Sequence, residues 1–334
     1  MGRMRILKIC VVGTNFISDR FCEAAREVEG VEVGAVLSRR AETGRAFADK
    51  YGIKTVFTTL SDMLSSDIDA VYVASPTFVH KEQSVEAMLC GKAVLCEKMM
   101  GATFKDVEEM LDAKNRSGAV LLEAMRPDFD PAYKAVKDAL PMIGRVRRAH
   151  LEFCQYSSRY DRFKSGEVLN AFDPTIANSA LADIGIYPLH VCLSLFGAPL
   201  KHTSTHLFLE NGFEALGKIE LEYDGMLASV VYSKITDSTT PSVIEGELGS
   251  IIIDKISAPK DVTLKMRDGR CVKLDFDYLP NNMVYEIAAF RDAVQGKLDD
   301  SPYLECTALS VRIVDEIYRT SGISRFFDRE KINV

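Results

Sequence analysis

Through its first 125 residues the chain alternates short apolar runs with segments of helical periodicity, and no other feature limits the fold as strongly. Apolar runs at Ile6–Val12, Val31–Leu37, Thr55–Phe57, Asp69–Ala74 and Ala93–Cys96 are separated by helical patterns over Arg20–Glu29, Ala41–Tyr51, Leu60–Ser65 and His80–Cys90. Strands joined by crossover helices pair in parallel, and a parallel sheet is covered on both faces. The expectation is an α/β chain with an N-terminal Rossmann-type, doubly wound parallel sheet. Ligands bind such sheets outside the carboxyl ends of the strands, so the residues that follow each run carry the chemistry.

Gly13-Thr14-Asn15-Phe16-Ile17-Ser18 follows the first run. It keeps only the first glycine of G-x-G-x-x-G, with Asn15 in the second place and Ser18 in the third. Asn tolerates left-handed backbone and Ser is small, so a pyrophosphate-binding turn could survive; a plain strand-to-helix turn is the competing account. Ser38-Arg39-Arg40 follows the second run. An acidic side chain there would bond the ribose 2′-hydroxyl of NAD, whereas a hydroxyl and two guanidiniums suit a 2′-phosphate, so NADP is expected ahead of NAD. A solvated loop would also explain the two arginines. The fourth run leads into Ser75-Pro76-Thr77-Phe78-Val79-His80, where His80 reads as a cap or core residue as readily as a ligand. The fifth ends on Glu97-Lys98. A lysine at a strand's carboxyl end can hold a polarised oxygen or take part in proton transfer, unless the pair is simply a surface one.

A chain of 334 residues is long enough for about two domains. Its 47% hydrophobic and 27% charged residues suit a globular enzyme. With 41 basic against 48 acidic residues, the net charge of −7 argues against nucleic acid or an anionic membrane as partner. No apolar run approaches the roughly 18 residues of a membrane span. Ile6 stands where a myristoylation signal places Ser or Thr, and Val334 ends the sequence without a prenylation cysteine, so no lipid anchor is expected. Eight cysteines without a C-x-x-C pair read as reduced thiols of a cytoplasmic protein.

Beyond Pro127 and Pro131 a helix over Ala132–Leu140 is ended by Pro141 to Gly144. Two domains are expected, 1–125 and 126–334. Arg145–Tyr156 alternates as a long strand and continues as Ser157-Ser158-Arg159-Tyr160-Asp161. Hydroxyls and a guanidinium after a strand are what a polyol pocket needs, which singles out Tyr156 and Arg159; a solvated loop competes closely. Asp183, Tyr187 and His190 are spaced i, i+4, i+7, which predicts one helix face, and Pro188 predicts a kink or a helix start. A free tyrosine titrates near ~10, so proton transfer by Tyr187 at neutral pH needs a cation beside it, and Lys98 is the candidate. The competing account is a buried tyrosine bonded to an aspartate, with a satisfied core histidine. Asp183 and His190 lack a third ligand at suitable spacing, so no metal is expected. From His206 onward the chain is rich in strands, including a hairpin turned at Arg267-Asp268-Gly269-Arg270, and reads as one large, mainly antiparallel sheet. Helices over Asn282–Gln295 and Leu304–Ser321 follow.

Taken in order, the nucleotide turn, Ser75-Pro76-Thr77 with His80, Gly91-Lys92-x-Val94-Leu95-Cys96-Glu97-Lys98, Glu123-Ala124-Met125 and Asp183-x-Gly185-x-Tyr187-x-x-His190 give a sequence that resembles the glucose–fructose oxidoreductase / inositol dehydrogenase / MocA (Gfo/Idh/MocA) family. The dihydrodiol dehydrogenase and glucose–fructose oxidoreductase branches are nearest. The resemblance implies a Rossmann domain followed by a C-terminal α+β domain whose large open sheet supports substrate binding and a homodimer or homotetramer. It implies hydride transfer between a nicotinamide and the carbinol or carbonyl carbon of a sugar, cyclitol, diol or related polyhydroxy compound. On the same ground Lys98 touches substrate hydroxyl and cofactor with Glu97 holding it, Tyr187 is the general acid/base, Asp183 its acidic partner and His190 a further pocket residue. Ser75, Pro76, Thr77 and His80 then line the dinucleotide together with Gly13, Thr14, Asn15, Phe16 and Ile17. Departures from the family pattern are Met99 in place of a proline, expected to relax the backbone there, Asn178-Ser179-Ala180 in place of a glycine run, with Asn178 facing substrate, and Asp128 in place of an arginine. A dinucleotide- or sugar-sensing regulator that kept the fold and lost the chemistry is the alternative.

Overall fold

The computed structural model describes residues 6–328, which fall into two compact units, 6–125 with 279–308 and 126–278 with 309–328. The expectation about lipid attachment concerns chain ends outside the described residues. In the first unit β1 (Leu7–Val12), α1 (Phe16–Ala25), β2 (Val31–Leu37), α2 (Ala41–Tyr51), β3 (Thr55–Phe57), α3 (Leu60–Leu64), β4 (Ala70–Val73), α4 (His80–Leu89), β5 (Ala93–Cys96), α5 (Phe104–Ser117) and β6 (Leu121–Glu123) alternate. The six strands pair in parallel in the order β3-β2-β1-β4-β5-β6. This is the doubly wound order, whose succession reverses between β1 and β4 and opens a crevice at their carboxyl ends. Every residue of β4 and β5 is buried, as strands covered on both faces must be.

The second unit holds α6 (Pro131–Ala139), β7 (Val146–Cys154), α7 (Tyr160–Lys164), a π-turn over Leu181–Gly185, α8 (Ile186–Phe196) and seven further strands. These are β8 (Lys201–Phe208), β9 (Glu214–Tyr223), β10 (Met226–Ser233), β11 (Ser242–Gly246), β12 (Gly249–Ile253), β13 (Val262–Met266) and β14 (Cys271–Lys273). The sheet runs β14-β13-β12-β11-β7-β10-β9-β8, antiparallel except for the β7–β10 pair. One face buries Ala149, Leu151, Ile219, Leu221, Val230 and Ile244. The opposite face carries polar pairs, Arg148 with Glu245, Ser229 with Glu220 and His150 with Glu152.

After β14 the chain returns to the first unit with α9 (Met283–Val294) and the start of α10 (Ser301–Ser321). Polar contacts fasten this return: Arg20 donates to the Asn281 side chain at 3.1 Å, Arg291 to the Glu29 carbonyl at 2.7 Å, and Lys114 pairs with Asp300 at 3.2 Å. Among the described residues no helix is long and apolar enough to cross a membrane.

Candidate functional site

The parallel pairing of the first sheet puts the ends of β1, β2, β4 and β5 on one edge. Gly13, after β1, has φ +106°, and a Cβ there would stand 2.9 Å from the Ala74 carbonyl oxygen. Only glycine fits both conditions. Asn15 departs from the expectation of a left-handed substitute for glycine. Its backbone is extended at φ −90°, and its side chain caps α1 by accepting from the backbone N–H of Ile17 at 3.0 Å and Ser18 at 3.2 Å, while Nδ2 donates to the Ala74 carbonyl at 2.7 Å. That cap is why α1 starts at Phe16, ahead of the expected Arg20. Thr14 and Ile17 are half-buried and Phe16 is exposed.

After β2, buried Ser38 donates to the Arg40 carbonyl at 3.0 Å, which shapes the turn, and Arg39 and Arg40 are exposed. After β4, Ser75 donates to Gln83 at 2.6 Å, and Pro76 and Thr77 open a short 3-10 turn leading to His80. The His80 ring is buried, with Nε2 2.8 Å from the Ser75 carbonyl and Nδ1 3.0 Å from that of Met99. It therefore ties the loop after β4 to the loop after β5. Burial lowers its pKa below the usual 6.5, against the two carbonyls, which favour the charged ring.

Three buried groups hold the turn that carries Lys98. Glu97 accepts from the Tyr72 hydroxyl at 2.5 Å and from the Lys98 backbone N–H at 3.3 Å. His80 engages the Met99 carbonyl, and Glu123 accepts from the Met100 N–H at 2.7 Å while its other oxygen accepts from Thr307 at 2.8 Å. Met99 is buried, and the looser backbone expected from the absence of proline is not what the structure has, since the Met99 carbonyl and the Met100 N–H are both engaged.

In the second unit the spacing of Asp183, Tyr187 and His190 does not give a single α-helical face. Asp183 lies in the π-turn and the other two in α8, because Pro188 supplies no N–H to Ile184 and sits in the first turn of the new helix. The hydroxyl of the buried Tyr187 accepts from Arg126 Nη2 at 2.8 Å, and the same guanidinium lies 5.2 Å from the ring centroid. Asp183 pairs with Lys234 at 2.8 Å. His190 is fully buried, with Nε2 2.8 and 2.9 Å from the two Asp128 oxygens and Nδ1 3.1 Å from Ser310 Oγ. Facing a carboxylate, Nε2 carries a proton and donates to Asp128, while the Ser310 hydroxyl can meet Nδ1 as donor or acceptor. Tyr156 donates to Asp161 at 2.7 Å and accepts from Lys164 at 2.8 Å, Arg159 is exposed, and Asn178 donates to the Asn170 carbonyl at 2.8 Å.

Residues 7–125 match the model of an oxidoreductase family with an NAD-binding Rossmann fold, the Gfo/Idh/MocA group. The scyllo-inositol 2-dehydrogenase (NADP(+)) of Bacillus subtilis is 41% identical over 321 residues, 95% of this chain and 98% of the relative. The chain belongs to the Gfo/Idh/MocA oxidoreductase family. Trans-1,2-dihydrobenzene-1,2-diol dehydrogenase of Mus musculus is 26% identical over 94% of this chain and 96% of its own length. A 3-ketoreductase from Actinomadura kijaniata, solved with NADP and TDP-benzene, shares the fold with a TM-score of 0.83 at 22% identity, covering 95% of this chain and 98% of the other.

The first unit of this Gfo/Idh/MocA member fits a dinucleotide. Gly13 leaves the backbone open where any side chain would strike Ala74, the N-terminus of α1 faces the same turn, and two exposed guanidiniums stand at the end of β2. Three residues of interest had escaped the sequence reading. Arg126 directly follows Glu123-Ala124-Met125, a strand end like the one that drew attention to Lys98, so that signal was present. Glu123 was seen only as part of a motif, and Lys234 carried no signal, because the partners of both are far away in the sequence.

Proposed function

We propose that this chain is an NADP-dependent dehydrogenase or reductase of a small polyhydroxy compound, of the inositol, sugar or diol kind, working as a cytoplasmic homodimer or homotetramer. The 41% identity to an NADP(+)-dependent inositol dehydrogenase over almost the whole chain supports the reaction class. Eight free cysteines support a reducing compartment. Residues 1–125, with the returning 279–308, are assigned to the cofactor, and the rest of the expected second domain, 126–334, to substrate binding and assembly.

The observation that carries the chemistry is the Tyr187 hydroxyl held by Arg126. Tyr187 gives or takes the proton of the reacting hydroxyl. The charge left on its oxygen falls beside a guanidinium that keeps its own proton, so Arg126 shares the electrostatic support first ascribed to Lys98 alone. Lys98, on a turn fixed by Tyr72, His80 and Glu123, orients the substrate oxygen. The bound nicotinamide supplies or accepts the hydride. Gly13 to Ile17, Ser38 to Arg40, Ser75 to Thr77, His80 and Glu97 hold or frame the dinucleotide, and Tyr156, Arg159 and Asn178 are assigned to the substrate side, whereas the fully buried His190, engaged by Asp128 and Ser310, supports that side from within the core and does not touch substrate.

The test is titration with NADPH and NADH by nicotinamide fluorescence, then a panel of inositols, aldoses and vicinal diols read at the nicotinamide absorbance. Tyr187→Phe is expected to lower turnover by about 10²–10⁴ with NADPH affinity unchanged, the usual worth of a positioned acid or base. Wild-type turnover in Tyr187→Phe would reject the assignment. Tight NADPH binding with no turnover on the panel would favour a sensor.

A further inference from the structure

Lys234, the residue after β10, is buried although it carries a charge. Its backbone is fixed on both sides, the N–H donating to the Ala215 carbonyl and the carbonyl accepting from Ser157 N–H, each at 2.9 Å. The side chain runs into an aromatic cluster, where its ammonium lies 4.9 Å from the Phe172 ring centroid and 5.2 Å from that of Phe213. It donates to the Ala171 carbonyl at 2.6 Å and pairs with Asp183 at 2.8 Å. A methionine would fill the same space without demanding partners, so packing alone does not call for an ammonium here. Asp183 is placed differently: its side chain keeps 38% of its surface accessible, against 4% for Lys234.

We propose that Lys234 is a positioning residue that presents Asp183 as a fixed, acceptor-only carboxylate for a substrate hydroxyl and ties the segment around Ala171 and Phe172 to that carboxylate. The inference rests on the reading that Asp183 belongs to the polyol site, and it gives Asp183 a role in substrate binding. An ionised carboxylate accepts from a hydroxyl and repels a carboxylate or phosphate. The ligand class is therefore a neutral polyol with a free hydroxyl at this point, and a deoxy or O-methyl analogue is disfavoured.

The test uses the full chain with NADP+ and scyllo-inositol as probe, comparing Lys234→Met, Lys234→Arg and Asp183→Asn. Lys234→Met is expected to raise KM at least tenfold with kcat changed less than threefold and NADPH affinity unchanged, and Lys234→Arg to recover most of the loss, a split that marks lost ground-state binding. An unchanged KM in Lys234→Met beside a raised KM in Asp183→Asn overturns the role of Lys234 and leaves Asp183 standing. Wild-type kinetics in Asp183→Asn would instead sink the reading of the site. Hydrogen exchange needs no substrate: Lys234→Met should speed exchange at 170–173 and 181–185, with Lys234→Arg restoring protection, and unchanged exchange at both segments overturns the proposal. If Lys234→Met does not fold, Lys234→Gln, which keeps a donor and loses the charge, decides by the same readouts.

Discussion

Two exposed guanidiniums stand at the end of β2, and the preference for NADPH proposed above rests on them. No acidic side chain stands at Ser38-Arg39-Arg40 to meet a ribose 2′-hydroxyl. Arg39→Ala should therefore weaken NADPH binding by about 1–3 kcal/mol, the scale of a lost charge-assisted hydrogen bond, and leave NADH binding nearly unchanged. Fluorescence titration of both cofactors measures this, and equal losses would show that Arg39 does not meet the 2′-phosphate. Residues whose chemistry is local are those for which a sequence can propose a role. Asn15 was read with the wrong mechanism because two properties of asparagine compete at such a turn: tolerance of left-handed backbone and skill as a helix cap. The structure uses the cap. Arg126 beside Tyr187 is a meeting of residues 61 apart in the chain, which no spacing rule encodes.

Among the elements, the joint between the π-turn and α8 aims Asp183 and Tyr187, and its fit is close. A Cβ on Gly185 would come within 2.6 Å of the Tyr232 ring, and that ring is fully buried, so it has little room to give way. Gly185→Ala should destabilise the fold by about 1–3 kcal/mol, as overpacking does, seen as a lower melting temperature; an unchanged Tm would mean that the turn shifts freely. Pro188 made this break legible, but its form as a π-turn was not, since no local spacing rule distinguishes it from an α-helical turn. The loops after β4 and β5 are joined by His80, which gives a pH signature. Burial holds its folded pKa below 6.5, so the unfolded chain takes up the proton first as pH falls. The stability linked to His80 is full above about pH 6.5 and declines as pH drops toward the folded value, by at most about 1.4 kcal/mol per pH unit. Urea midpoints from pH 8 to pH 5 should fall less steeply in His80→Gln than in wild type, and parallel curves would assign the decline to other groups.

Across the whole molecule, both sheets were legible because each is written in local periodicity: apolar runs between helices for the parallel one, alternation and a hairpin turn for the other. The return of 279–308 to the first unit was not, because polar contacts such as Arg20 with Asn281 and Thr307 with Glu123 join residues far apart in sequence. The second sheet also bears on assembly. Its polar face carries cross-strand partners, the Arg148–Glu245 ion pair and the Ser229 hydroxyl donating to Glu220, whose charge is met by Lys218, so these groups need no water to remain paired. Between them stand apolar side chains, with Leu227 exposed at 59% and Val231, Val243 and Ile252 half-buried, on central and neighbouring strands. A second copy of the chain offers the same self-satisfied charges and the same apolar patches, which suits an isologous contact. Such an interface needs about 1,600 Å² in total, within reach of an eight-stranded sheet. Sedimentation at micromolar concentration should therefore give a dimer or tetramer of the 37.1 kDa chain. Val231→Asp, which puts a charge amid the ladder pairs without touching the buried face, should shift the population toward monomer while leaving NADPH binding intact. A monomeric wild type, or a Val231→Asp variant that stays assembled, would remove this face from the account of assembly.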